Sequence, residues 1–198
     1  IECNMDSNSR LFDIAHSQRM ANSMRIAFAK KDLKKPGNNW ITYSLHETVG
    51  VIDRISLGLI KLGIKKGDNI ALIANNSPEW SFVDFGIQQV GAVVVPIYPT
   101  ISNNEFKYIF NDSEIKLCFV ADVELAQKIK SIKSEVPSLI SIFSFDKNKV
   151  VEYWSTIVAE TKVGDLKIVE KRKEEVKPSD IATIIYISGT TGTPKSVI

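Results

Sequence analysis

The sequence predicts an α/β protein, a mostly parallel sheet covered by helices on both faces. Three observations lead there. Runs such as N-I-A-L-I-A over 69–74 and A-V-V-V-P-I over 92–97 are apolar at nearly every position, as strands buried on both faces are. Segments with apolar residues at steps of three and four alternate with those runs, as in a sheet with crossover helices. The chain has 198 residues, enough for one well-packed domain and short for two.

Residues 7–21 carry Leu11, Ile14, Ala15 and Met20, a weak amphipathic helix. Stretches 24–29 and 40–43 read as short strands on either side of the turn-forming Lys35-Pro36-Gly37-Asn38. Ser44 is a good N-cap, and Glu47 three residues later completes a capping box. The helix behind it places Leu45, Val49, Ile52, Ile55, Leu59 and Leu62 on one buried stripe, and Gly63 closes it. After the strand at 69–74, Asn75-Asn76-Ser77-Pro78 opens a helix that buries Trp80, Val83, Ile87 and Val90. Gly91 ends that helix before the strand at 92–97.

Ser102-Asn103-Asn104-Glu105 caps a further helix through Phe110. A strand at 116–120, a helix at 122–133 and a strand at 139–143 follow. Residues 146–180 are less regular. A short helix is expected at 153–159, and Glu170-Lys171-Arg172-Lys173-Glu174-Glu175 reads as a solvated connection. The run I-A-T-I-I-Y-I at 181–187 has buried-strand character, and Ser196-Val197-Ile198 begins a second strand.

Composition excludes several classes. Lys and Arg number 25 against 23 Asp and Glu, a net charge of +2, so a nucleic-acid-coating basic surface is not expected. Cys3 and Cys118 are the two cysteines, far apart, which suits a reducing compartment and excludes a disulfide scaffold or Cys-rich zinc module. No apolar run approaches the roughly 20 residues of a membrane-spanning helix. No secretory leader is visible, and the cytoplasm is the expected location. His16 and His46 are isolated and read as surface or packing residues. The chain starts at Ile1 and stops inside an apolar run, so it reads as the front portion of a longer protein.

Chemistry concentrates in Tyr186-Ile187-Ser188-Gly189-Thr190-Thr191-Gly192-Thr193-Pro194-Lys195. Two glycines let backbone amides approach an anion, and the hydroxyls of Ser188, Thr190, Thr191 and Thr193 can donate to phosphate oxygens. Lys195 adds a mobile point charge. A loop of this composition delivered by a strand suits a polyphosphate. Gly189–Ser196 nearly spells the Walker pattern, but Pro194 stands where its second glycine belongs and has no N–H to give.

The loop resembles the signature of the adenylate-forming superfamily of acyl-CoA synthetases, luciferases and peptide-synthetase adenylation domains, close to [YF]-T-S-G-[ST]-T-G-x-P-K-G. Tyr186, Ser188, Gly189, Thr190, Thr191, Gly192, Pro194 and Lys195 match it; Ile187 replaces the usual Thr and Ser196 the usual Gly. Upstream, G-D-N-I-A-L at 67–72, N-N-S-P-E-W at 75–80, G-A-V-V-V-P-I-Y-P-T at 91–100 and N-D-S-E at 111–114 are similar to core segments of long-chain fatty acyl-CoA synthetases. The resemblance covers roughly 7–198 and makes residues 1–198 the N-terminal part of an AMP-binding domain, truncated after the phosphate loop.

The resemblance implies activation of a fatty acid or related carboxylic acid by ATP to an acyl-adenylate, then transfer to coenzyme A. Ser188, Gly189, Thr190, Thr191, Gly192 and Lys195 would contact the ATP phosphates. Thr190 would stand nearest Mg²⁺ arriving with the nucleotide. No catalytic residue of the family falls within these residues, because its adenine, ribose and α-phosphate motifs come later. This stretch alone is therefore expected to be inactive. The expected partners are the acid, ATP and coenzyme A, without nucleic acid and with room for peripheral membrane contact. Two other readings stay open: a truncated, non-catalytic nucleotide- or partner-binding protein, and a P-loop NTPase. The last requires a helix after Lys195 rather than a strand.

Overall fold

The computed structural model describes residues 7–32, 37, 39–158, 164–187 and 194–198. Helix α1 (Asp13–Ala21) precedes an antiparallel pair, β1 (Ile26–Lys31) and β2 (Trp40–Ser44). The first helix starts later than the sequence predicts. The Arg10 main-chain N–H and guanidinium both bond the Asp13 carboxylate, which holds the chain in a turn ahead of the helix. Ser44 caps α2 (Leu45–Lys61) in the expected box: its hydroxyl accepts from the Glu47 N–H, and the Glu47 carboxylate accepts from the Ser44 N–H at 2.8 Å.

The central unit then runs β3 (Asn69–Ile73), α3 (Pro78–Gln89), β4 (Val93–Pro96), α4 (Asn103–Asp112), β5 (Leu117–Val120), α5 (Val123–Ile132) and β6 (Ser141–Ser144). The two-residue β7 (Glu152–Tyr153) extends the sheet, whose order is β4-β3-β5-β6-β7 with every neighbouring pair parallel. Gly91, at φ +72°, turns the chain from α3 into β4, a conformation a side chain would strain. Helix α6 (Leu166–Glu174) and the antiparallel hairpin β8 (Ile185–Ile187) and β9 (Lys195–Val197) complete the described chain.

Both faces of the sheet are covered, as the apolar runs predict. Ile70, Leu72, Val94, Leu117, Phe119 and Phe143 point to a core shared with α2 and α3. Their neighbours Ala71, Ile73, Val95, Cys118, Val120 and Ile142 point to a second core under α4 and α5. Period-two alternation thus sends an apolar side chain each way at successive positions. Each fully buried Val, Ile, Leu or Phe contributes about 1.5–3 kcal/mol, and the core side chains of α2, Val49, Ile52, Ile55 and Leu59, are all fully buried.

Several elements differ from expectation for identifiable reasons. Leu62 lies beyond the last turn of α2 and is half-exposed; Ile64 takes the core position, its N–H bonding the Leu59 carbonyl. The expected helix at 153–159 is a 3-10 turn over Trp154–Ile157. The charged run at 170–175 is helical rather than a connection, belonging to α6 as far as Glu174. Glu170, Lys171, Glu174 and Glu175 are solvated as expected, while Arg172 is half-buried and Lys173 buried. Val169 is fully buried there, and Arg172 Nη1 donates to the main-chain oxygens of Ile64 and Val90, at the carboxyl ends of α2 and α3. The run 181–187 joins the sheet only at its edge, through a parallel bridge between Thr183 and Val94. Ile181, Ile185 and Ile187 consequently stay about half-exposed.

Candidate phosphate-loop site

The sheet order places the site. The chain enters at β3, steps out to β4 and returns on the other side of β3 as β5. In open parallel sheets wound this way, ligands bind outside the carboxyl ends of the strands. Residues 182–184 run parallel to β4, the Val94 N–H bonding the Ala182 oxygen and the Ile184 N–H bonding the Val94 oxygen. Counting from that bridge, Ile185 stands level with Pro96 and Ile187 passes the end of β4. The strand therefore reaches the carboxyl edge of the sheet at Ile187, the last described residue before position 194.

Two adjoining grooves open there. One of about 590 Å³ is lined by Asn75 and Asn76 after β3, Trp80 of α3, Tyr98 after β4, and Ile185. Trp80 is only half-buried: it packs against the core as the helical spacing suggests, and its exposed part forms a groove wall. The second, about 360 Å³, lies between α4 and the β8–β9 hairpin, with Glu105, Ile109, Tyr186, Ile187 and Pro194 on its walls. Glu105 belongs to the Ser102 capping box, whose hydroxyl and N–H hold its carboxyl below the usual carboxylate range.

Of the residues that the sequence assigns to the site, Ser188, Gly189, Thr190, Thr191 and Gly192 lie outside the described residues. Lys195 is described: it is exposed and pairs across the hairpin with Ile187, so the two stems of the loop are held side by side. The chain after the loop is thus a strand, where a P-loop NTPase requires a helix. Tyr186 faces the other way, and its phenol donates to Asp112 Oδ2 at 2.6 Å. Burial, followed by that hydrogen bond, pushes the phenol pKa above its ordinary value. Sequence spacing offered no sign of this contact, because the partners stand 74 positions apart.

Among the described residues no three carboxylate, imidazole or thiol side chains come together to hold a metal ion. Among them, too, no helix is long and apolar enough to cross a membrane. Cys118 is buried in β5, and burial pushes its thiol pKa up, away from nucleophile chemistry.

A parallel sheet covered by helices on both faces, with a final strand running parallel to its β4 edge, defines a doubly covered α/β protein. The chain belongs to the AMP-binding enzyme family, whose sequence profile matches residues 17–198. It is 27% identical over 172 residues to the long-chain-fatty-acid–CoA ligase heimdall of Drosophila melanogaster, an alignment covering 82% of this chain and 25% of the relative. It is 31% identical over 156 residues to the long-chain-fatty-acid–CoA ligase FadD15 of Mycobacterium bovis, covering 79% and 26% respectively. The chain thus spans about a quarter of the length of these relatives. Among solved structures, it resembles the anthranilate CoA ligase AuaEII in complex with anthranoyl-AMP, with a TM-score of 0.75 at 20% identity, over 98% of this chain and 34% of that one. That likeness shows that the two chains share a fold.

Proposed function

We propose that residues 1–198 are the N-terminal part of the AMP-binding domain of a fatty acid–CoA ligase, acting in the cytoplasm. The observation that carries this reading is the motif at 186–195, whose stems leave the carboxyl edge of the sheet as a closed hairpin. The names of the Drosophila and mycobacterial relatives support a long-chain fatty acid as the substrate.

The chain's share of the reaction is electrostatic. Backbone N–H groups at Gly189 and Gly192, the hydroxyls of Ser188, Thr190 and Thr191, and the Lys195 ammonium take the β- and γ-phosphates of ATP. Mg²⁺ enters as part of the Mg·ATP substrate. Thr190 would offer it a hydroxyl oxygen beside the phosphate oxygens, a hard-oxygen set that suits this ion. Held in this way, pyrophosphate is the better leaving group when the fatty carboxylate attacks the α-phosphorus. The acyl-adenylate then acylates the thiol of coenzyme A and releases AMP.

Exchange of labelled pyrophosphate into ATP by the protein carrying this chain tests the reading. Exchange should require a fatty acid, and a chain-length series then identifies the preferred one. Exchange supported by amino acids or aryl acids but not by fatty acids would reject the proposed substrate class; none with any acid would reject adenylate formation.

A further inference from the structure

We infer that Asp112 is a positioning residue for the phosphate loop and acts through Tyr186. The inference rests on the reading of residues 188–195 as the ATP-phosphate loop. Strand β8, from which the loop leaves, packs Tyr186 and the preceding Ile184 on the second core, with hydrogen bonds to Val94 from Thr183 and Ile184, but its other face is open. Its ladder to β9 is three residues long, and one parallel bridge ties the preceding residues to β4. Ile185 and Ile187 are 46% and 51% exposed, so packing does not clamp them.

Tyr186 stands between them, and its hydroxyl reaches Asp112 at 2.6 Å. Asp112 is the last residue of α4, a helix fixed at both ends. Its start carries the Ser102–Glu105 capping box. Near its end, Asn111 Nδ2 donates to the Glu135 oxygen at 3.1 Å. Phe106, Ile109 and Phe110 bury its inner face. Asp112 thus stands at an exposed but fixed helix end, and the phenol is the tether that sets how β8 leans before the chain enters the loop.

The chemistry of the tether suits that task. A neutral phenol donating to a carboxylate makes a shorter, stronger bond than a neutral pair. Burial and the carboxylate both keep the phenol protonated, so the bond persists through neutral pH. Misplacing a charge-positioning group by even 1 Å is costly to polyphosphate recognition, because the donors must converge together. Phenylalanine at 186 would keep the ring contacts and lose the tether.

Binding of ATP, AMP and inorganic tripolyphosphate, each with Mg²⁺, provides the test by isothermal calorimetry on the whole protein that carries this chain and on its variants. Tyr186→Phe and Asp112→Ala should weaken ATP and tripolyphosphate about three- to fivefold, the worth of one hydrogen bond, and leave AMP nearly unchanged. Asp112→Asn keeps an acceptor and should recover most of the loss. An unchanged ratio of ATP to AMP affinity in Tyr186→Phe overturns the positioning role, whether both affinities hold or both fall. Lys195→Ala tells the two layers apart. If wild type binds tripolyphosphate and Lys195→Ala weakens it, the loop reading stands and Asp112 is judged alone. If wild type binds neither ATP nor tripolyphosphate, the loop reading falls and the positioning role falls with it.

Discussion

The main-chain oxygen of Ile157 lies directly over Gly58, so close that a Cβ built on the glycine would sit 1.8 Å from it. Gly58 opens the last turn of α2, and Ile157 ends the 3-10 turn whose Trp154 and Ile157 side chains enter the core on the same face. The glycine thus lets the chain beyond β7 pack against the helix backbone. Its close neighbour is main chain, which has no rotamer by which to yield.

Gly58→Ala should therefore destabilise the fold although alanine favours helices. Relief requires the 3-10 turn to move, an overpacking cost of about 1–3 kcal/mol or more. Urea unfolding followed by far-UV circular dichroism measures it. A midpoint equal to or above wild type would refute the close-packing argument. Gly50, on the same helix with open space beside it, is the control and should gain slightly on replacement by alanine.

Asp84 gives a pH signature with a defined sign. Burial raises its carboxyl from the ordinary value of 3.8 to about 6, against the opposing hydrogen bond from Gln88 Nε2. The folded state keeps a proton that the unfolded chain releases, so this group's stability contribution is full below pH 4. It declines as pH rises to about 6 and is lost above that. Its size is on the order of 2–3 kcal/mol. Asp84→Asn keeps an acceptor for Gln88 and stays neutral, so it should be more stable than wild type at pH 7, the advantage vanishing near pH 4. An advantage independent of pH would count against a buried, titrating carboxyl. The difference between the two proteins is the readout, because Asp13 and Asp180 are shifted down and act in the opposite direction.

The Tyr186 phenol should ionise above the ordinary value of 10.0, since burial and Asp112 both disfavour its anion. Subtracting the 295 nm pH titration of Tyr186→Phe from that of wild type isolates one phenol among five. Asp112→Ala should move this phenol back only part of the way, because burial is the larger cause. The stabilisation tied to this group is present below pH 10 and lost as pH rises through the raised pKa. A difference curve centred on the ordinary value would remove the basis for the tether.

Local signals carried most of the fold. Ser44 with Glu47, Ser102 with Glu105, and Ser77 ahead of Pro78 are caps complete within four residues, and each opens a helix where predicted. The double-sided apolar runs at β3, β4 and β5 imply a parallel sheet because both their faces need cover. Helix α6 was illegible for the converse reason. Its basic residues look solvated until Ile64 and Val90, far away in sequence, present carbonyl groups to Arg172. The site divides in the same way: its loop is a contiguous pattern, whereas Asp112 joins Tyr186 only through the tertiary fold.

Lys195 offers the sharpest separation of function from stability. It lies in β9 opposite Ile187, one residue past Pro194, with its side chain exposed. Replacing an exposed side chain in this position should leave folding within about 0.5 kcal/mol of wild type. In the proposed ligase the same ammonium faces negative charge that shifts onto the departing pyrophosphate. Removing one such preorganised donor costs on the order of a hundredfold in rate. Lys195→Ala should thus slow fatty-acid-dependent pyrophosphate exchange strongly at an unchanged melting temperature, and Lys195→Arg should restore part of the rate by returning the charge with a different shape. The split matters more than either number. Lost activity with an equal loss of stability would make Lys195 a structural residue of the hairpin, and full activity in Lys195→Ala would remove it from the phosphate site.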